Sequence, residues 1–333
     1  MRPLDFVKVD DVASAVATLS AHPEGAFLAG GTTEIDLVRL GVAKPDLLVD
    51  INDLPLAEID DLPDGGLRIG ALARMSDVAS DPRVIERFPF VSEALILGAS
   101  AQLRNMASMA GNLRQRTRCA YFRDGLSPCN KREPGSGCSA IDGVNRGHAI
   151  LGTSEHCIAL HPSDVAVPLV ALDAVVHTVG RNGHRAIPFD DFFLLPGDTP
   201  QDEHPLEHSE LIVAIDVPYT PTARQSAYLK FRDRQSYEFA LVSVAAALSV
   251  QDGTVIDARV ALGGVGTKPW RARKAERALI GAPAELAPFE AAAAAELADA
   301  TPASGNGFKV ELARRAIVRG LRTVMRGMSG GRR

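Results

Sequence analysis

The sequence has no run of about 18 apolar residues, the length a helix needs to cross a bilayer, and its start, Met1-Arg2-Pro3-Leu4-Asp5-Phe6, has no apolar secretion core. The chain is therefore expected neither to span a membrane nor to export itself, and Arg332-Arg333 stands at the wrong end for a twin-arginine signal. Basic charge is not in excess: 41 acidic residues outnumber 36 basic ones, a net charge of −5, so DNA or RNA has no electrostatic footprint to meet. Catalytic signatures are missing too. No H-E-x-x-H, Ser/His/Asp order or carboxylate pair stands out, and no acid–base machinery is expected. The G-x-G-x-x-G fingerprint and the P-loop lysine are also absent. With 333 residues, 46% hydrophobic and 23% charged, the chain reads as an ordinary globular protein of two or three domains.

Cysteine is scarce but concentrated. Cys119, Cys129, Cys138 and Cys157 fall within one 39-residue window, separated by loops of nine, eight and eighteen residues. No C-x2-4-C knuckle of a structural zinc site is present, so zinc stays open without its usual motif. Disulfides suit small secreted domains short of core, and this chain is neither. Unrelated buried thiols would not lie among Gly125, Pro128, Pro134, Gly135, Gly137, Gly143 and Gly147, a loop composition. A four-thiolate iron–sulfur cluster fits best, although the spacing permits it without singling it out. Arg114, Arg116, Arg118, Arg123, Lys131 and Arg132 either offset such a cluster's negative charge or form a solvated basic face. His156, beside Cys157, could replace a thiolate, but a surface histidine is the commoner case.

Elsewhere the pattern is mixed. Val12, Ala15, Val16 and Leu19 predict a helix over 11–20. A strand over 26–29 then runs into Gly30-Gly31-Thr32-Thr33, followed by a helix through Ile35, Leu37, Val38 and Leu40 that stops at Gly41, and by a strand over 47–51. Paired glycines at a helix start let backbone N–H groups approach an anion such as pyrophosphate, though alone such a turn is more often a simple cap. Leu67, Ile69 and Ala71 predict a half-buried strand, with helices over 76–80 and 84–97. Ser108, Gly111 and Asn112 then suit phosphate and ribityl contacts, or a capped turn. A helix and a strand follow over 165–179, an exposed connection over 190–208 and a buried strand over 211–215. Pro218 and Pro221 mark a domain boundary. Antiparallel strands over 226–231, 241–250 and 255–262 precede three helices, with the alanine run 291–295 on a helix surface.

Several of these signatures together resemble the FAD-binding medium subunit of the xanthine dehydrogenase and aldehyde oxidase family of molybdenum hydroxylases. The carriers are Phe27-Leu28-Ala29-Gly30-Gly31-Thr32-Thr33-Glu34, Leu103-Arg104-Asn105 with Ala110-Gly111-Asn112, His161-Pro162-Ser163-Asp164, and Lys230-Phe231-Arg232 with Phe239-Ala240-Leu241-Val242-Ser243. The cysteine loop, with Arg116-Thr117-Arg118-Cys119, Pro128-Cys129-Asn130-Lys131-Arg132 and Pro134-Gly135-Ser136-Gly137-Cys138, resembles the branch of FAD and 4Fe–4S subunits of bacterial periplasmic aldehyde oxidases.

The resemblance implies an α+β chain: a two-lobed FAD-binding domain over 1–220, with lobes about 1–56 and 57–220 and a four-cysteine loop at 114–158, then a smaller α+β CO dehydrogenase flavoprotein-like domain over 221–333. It implies that Ala26, Phe27, Leu28, Ala29, Gly30, Gly31, Thr32, Thr33 and Glu34 hold the pyrophosphate of FAD, completed by Ser108, Gly111 and Asn112. Asp164, Ile212 and Lys230 would approach the ribityl chain or isoalloxazine, and Tyr121 would pack on the flavin. Cys119, Cys129, Cys138 and Cys157 would ligate one 4Fe–4S cluster. The implied partners are a large subunit with a molybdenum-pterin cofactor, which oxidises an aldehyde to a carboxylic acid, a small subunit with two 2Fe–2S clusters, and a terminal electron acceptor. The compartment is open between cytoplasm and periplasm, the resemblance favouring export on a partner's signal. The competing expectations are a free-standing FAD oxidoreductase of the same fold and a non-enzymatic zinc or iron–sulfur interaction protein.

Overall fold

In the computed structural model, which describes residues 3–330, the chain begins with strand Asp5–Lys8 (β1). Helix Val12–Ser20 (α1) follows, capped by Asp11, whose carboxylate accepts the Ser14 N–H at 2.7 Å. Its Ala15, Val16 and Leu19 are buried, as their spacing predicts. Strand Ala26–Leu28 (β2), helix Glu34–Leu40 (α2) and strand Leu47–Asp50 (β3) complete a parallel sheet in the order β1-β3-β2. Gly41 closes α2 in the left-handed conformation expected of it, at φ +73. The Arg332-Arg333 pair lies outside the described residues.

A second, antiparallel sheet is ordered β4-β5-β8-β6-β7, from strands Ile59–Asp61 (β4), Leu67–Gly70 (β5), Val175–Gly180 (β6), Gly183–Pro188 (β7) and Leu211–Val217 (β8). Short helices fill the long β5–β6 connection: Met75–Ser80 (α3), Pro82–Arg87 (α4), Pro89–Leu97 (α5), Ala101–Met106 (α6), Met109–Leu113 (α7), Ala120–Arg123 (α8) and Ala166–Ala171 (α9). The single helix expected over 84–97 is two, because Phe88 leaves the helical region and Pro89 has no N–H to continue it. The expected exposed connection over 190–208 is corrected at its start. Helix Phe189–Phe192 (α10) buries Phe189 and Phe192 with Phe193, while Asp191 between them and Leu194 after them are exposed.

The C-terminal sheet, β12-β11-β10-β9, is antiparallel throughout. Its strands are Ser226–Phe231 (β9), Val242–Gln251 (β10), Thr254–Gly263 (β11) and Trp270–Arg271 (β12). Helices Arg273–Leu279 (α11), Leu286–Leu297 (α12) and Phe308–Gly330 (α13) complete the domain. The alanine run lies within α12, with Ala291, Ala294 and Ala295 exposed on its surface, while Ala292 and Ala293 are fully buried. Their small side chains let α12 pack closely with Phe289 and Leu297 in the core.

The cysteine loop joins the two ends of the molecule. On one side Phe122 and Cys129 pack with Leu37 of α2. On the other, the Ile150 and Leu151 N–H groups donate to the Val265 carbonyl at 2.8 and 3.0 Å. Lys309, at the start of α13, donates to the carbonyls of Gly147 and Gly264 at 3.1 and 2.8 Å.

Candidate functional site

The β2–α2 turn forms one wall of a cavity of about 350 Å³. Gly30 and Gly31 are needed there for separate reasons. A Cβ on Gly30 would overlap the Met106 carbonyl, and Gly31 has φ +71. Thr33 makes no side-chain capping bond to α2, and of the first-turn N–H groups that of Ile35 donates to the Gly31 carbonyl at 3.1 Å, which leaves those of Glu34 and Asp36 uncapped. Ala26, Phe27, Ala29, Gly30, Gly31, Thr32, Thr33 and Glu34 all line the cavity. Leu28 does not; its carbonyl accepts the Ile51 N–H at 3.1 Å instead. Across the cavity stand Ser108, Gly111, Arg114, Arg116 and Ile212.

The two arginines were expected beside the cysteines and instead line this cavity. Arg114 is open to the cavity yet surrounded by protein, and this burial, with Arg116 pushing the same way, lowers its pKa. Burial raises the pKa of Glu34, opposed by Arg114 and Arg116. Cationic side chains and free N–H groups thus converge on a site suited to an anion.

A second cavity of about 640 Å³ shares Thr32, Thr33 and Gly111 with the first, and the two form one extended cleft. Its far end holds Asn112, Gln115, Arg118, Asp164, Lys230 and Phe239. The Ser163 hydroxyl donates to Asn112 Oδ1 at 2.5 Å, which fixes the amide, while Ser108 Oγ accepts the Gly111 N–H at 3.2 Å as a helix cap. Asp164 accepts from the Tyr228 hydroxyl at 2.7 Å and from Lys230 Nζ at 2.8 Å. Burial raises the Asp164 pKa and Lys230 opposes it. Ile212, grouped with these two in the sequence reading, lines the first cavity rather than the second.

Beside the cleft, Cys119, Cys129, Cys138 and Cys157 all line one small enclosed pocket, together with Lys131, Tyr121, Phe122 and Ala159. The backbones at Cys129 and Cys138 pair as an antiparallel bridge, so the two thiols come side by side despite eight intervening residues. None of the four forms a disulfide. Among the described residues, no group of three or more His, Cys, Asp or Glu is placed to hold a metal ion. Burial pushes the Cys119 thiol up and the Cys157 thiol to about 11, with Lys131 opposing at Cys157. His156 is not in the pocket; its ring faces Asp198 at 3.4 Å and is half exposed. Tyr121 is in the thiol pocket rather than the cleft, its hydroxyl accepting the Val144 N–H at 2.7 Å.

Of the six basic residues, Lys131 alone lines the thiol pocket. Arg132 donates to the Tyr121 and Phe122 carbonyls at 2.7 and 2.8 Å, and Arg123 pairs with Asp36 at 2.6 Å. Glu203 binds both Arg116 and Lys131, the latter at 3.0 Å, and so ties cleft to pocket. Burial opposes ionisation of Glu203, but the two cations outweigh it and lower its pKa. His148, whose Nε2 lies 3.2 Å from Cys119 Sγ, carries no sequence signal beyond lying in the cysteine loop, while His161, whose buried Nε2 has no partner, shows in the sequence only as part of His161-Pro162-Ser163-Asp164.

The model of the FAD binding domain in molybdopterin dehydrogenase matches residues 2–220, and that of the CO dehydrogenase flavoprotein C-terminal domain matches residues 226–324. The chain is 47% identical to the aldehyde oxidoreductase FAD-binding subunit PaoB of Escherichia coli, over 95% of this chain and 96% of that one. Among solved structures it superposes on carbon monoxide dehydrogenase from Hydrogenophaga pseudoflava lacking the Mo-pyranopterin moiety, with TM-score 0.75, 27% identity and coverage of 97% and 98% of the two chains. Quinoline 2-oxidoreductase from Pseudomonas putida shares the fold, with TM-score 0.76, 21% identity and 98% coverage of each chain.

Proposed function

The chain belongs to the FAD-binding subunits of the molybdenum hydroxylase family, and from that premise we propose that it is the medium subunit of an aldehyde-oxidising complex, holding FAD in the cleft and a 4Fe–4S cluster in the thiol pocket. The observation that carries this reading is the placement of all four cysteines around one enclosed pocket beside a cleft that starts at a glycine cradle. Four thiols gathered from loops of nine, eight and eighteen residues match the four-cysteine donor set that iron–sulfur clusters use.

In this reading Gly30 and Gly31 let the backbone approach the FAD diphosphate, and Arg114 and Arg116 offset its charge. The two cavities, about 350 and 640 Å³, fall in the range of about 300–1,000 Å³ usual for ligand sites. Asp164, kept in place by Tyr228 and Lys230, orients the ribityl and isoalloxazine end together with Asn112. Cys119, Cys129, Cys138 and Cys157 hold the cluster, and Lys131 is the cation beside it. FAD supplies the chemistry, passing electrons from iron–sulfur centres to a terminal acceptor, while the chain supplies binding and redox tuning. A large subunit with a molybdenum-pterin cofactor would oxidise the aldehyde, and a small subunit with two 2Fe–2S clusters would relay the electrons.

The test is purification of the tagged chain from its native host. Co-purification of a molybdenum-containing and a 2Fe–2S subunit, with one FAD per chain, is expected. A flavin-loaded chain that oxidises substrate alone would instead be a free-standing oxidoreductase.

A further inference from the structure

His148 approaches the thiol pocket from the side facing the C-terminal domain. The residue is 8% exposed, its Nε2 lies 3.2 Å from Cys119 Sγ, and its Nδ1 is buried without a hydrogen-bond partner. The surrounding backbone is fixed on both sides. The His148 N–H donates to the Asn145 carbonyl at 2.9 Å, and Asn306 Nδ2 donates to the carbonyls of His148 and Ala149 at 3.2 and 3.0 Å. Asn145 is anchored in turn, its Oδ1 accepting the Gly305 N–H at 2.7 Å. The ring is therefore held against the sulfur by residues that precede α13, not by the cysteine loop alone.

Against a free thiol the ring could pair either way round, because that sulfur is both a weak donor and a weak acceptor. A cluster-bound sulfur is a thiolate and accepts only. The ring's single proton then belongs on Nε2, where it meets the sulfur. Cys157 has a smaller counterpart, the Ala159 N–H at 3.4 Å from its Sγ.

We infer that His148 donates a hydrogen bond from Nε2 to the Cys119 sulfur of the cluster and thereby raises its reduction potential, which makes His148 a positioning residue for electron transfer through this subunit. The inference rests on the cluster reading above. Its physical basis is that a donor at a cluster sulfur stabilises the reduced, more negative state more than the oxidised one.

The test is a redox titration of the holoenzyme followed by electron paramagnetic resonance, comparing the unmodified protein with His148→Phe and His148→Gln. His148→Phe removes the donor at similar bulk, and its cluster potential is expected to fall with iron and flavin content unchanged. His148→Gln keeps an amide donor and is expected to recover part of the shift. Pulsed resonance on the unmodified protein, grown with isotopically labelled histidine, is expected to show a histidine nitrogen coupled to the reduced cluster, and this decides the matter if His148→Phe does not fold. Equal potentials without that coupling would overturn the assignment of His148 while leaving the cluster in place. Absence of any 4Fe–4S signal in the unmodified protein would overturn it together with the cluster reading.

Discussion

Gly30 and Gly31 are adjacent in sequence but constrained differently, and substitutions separate the two constraints. Gly30→Ala must displace the Met106 carbonyl, which accepts from Arg74 Nη1 at 2.6 Å while Arg74 Nη2 donates to Asn52 at 3.0 Å. Overpacking of this kind costs about 1–3 kcal/mol. The variant is expected to melt earlier and to lose flavin on gel filtration, read as flavin absorbance per polypeptide. Gly31→Ala meets the Ile35 side chain at 3.1 Å rather than a backbone carbonyl, on a left-handed backbone, at about 1–2 kcal/mol, and should cost no more than Gly30→Ala. Arg114→Gln leaves the fold intact and removes a cation from the same cavity. It is expected to weaken FAD binding about tenfold, or about 1.4 kcal/mol, measured by fluorescence titration of the deflavinated protein. The glycines were legible in the sequence because a backbone constraint is written directly in residue type. Arg114 and Arg116 were not, because in sequence they open the cysteine loop, and only the turn after α7 directs them to the cleft.

At the scale of elements, α13 begins with a buried cation. Lys309 is fully buried, its ammonium held by two backbone carbonyls, and burial lowers its pKa from 10.5 to about 7, with Arg146 adding to the effect. The unfolded chain keeps this proton until near 10.5 and the folded chain releases it near 7. Between those values the unfolded state binds more protons, so stability rises with pH, by at most about 1.4 kcal/mol per pH unit. Below about pH 7 the full cost of burying the charge is present. Urea unfolding midpoints from pH 7 to 10 are expected to rise for the natural chain relative to Lys309→Met, and parallel profiles would contradict the assignment. The elements that the sequence did not reveal have a common cause. β1 and β7 are edge strands whose residues are mostly exposed, so neither carries the alternation that marks a half-buried strand. Of the core-facing elements, α1 was legible because burial imposes its period, and β8 and β10 because burial makes them near-continuous apolar runs.

For the whole molecule, the cysteine loop is a joint as well as the proposed cluster site. It packs on α2 through Phe122 and Cys129 and is bonded to the C-terminal domain through Val265, Asn306 and Lys309. A cluster at its centre would stiffen a segment that has little regular structure of its own. Cys129→Ser is therefore expected to lower the melting temperature and to loosen flavin retention, although Cys129 does not line the cleft. That the cysteines lie together in space was legible from their clustering. That Glu203 connects their pocket to the cleft was not, because it lies 46 residues beyond Cys157 in a connection with no pattern.

The most direct measurement is iron and flavin content, with the ultraviolet–visible spectrum, of the anaerobically purified protein and its Cys129→Ser variant. One FAD per chain, with about four iron atoms beyond those of any accompanying 2Fe–2S centres and loss of that extra iron in Cys129→Ser, is the expected result. Flavin with no extra iron, or the same iron in both proteins, would contradict the central claim that the thiol pocket holds a cluster.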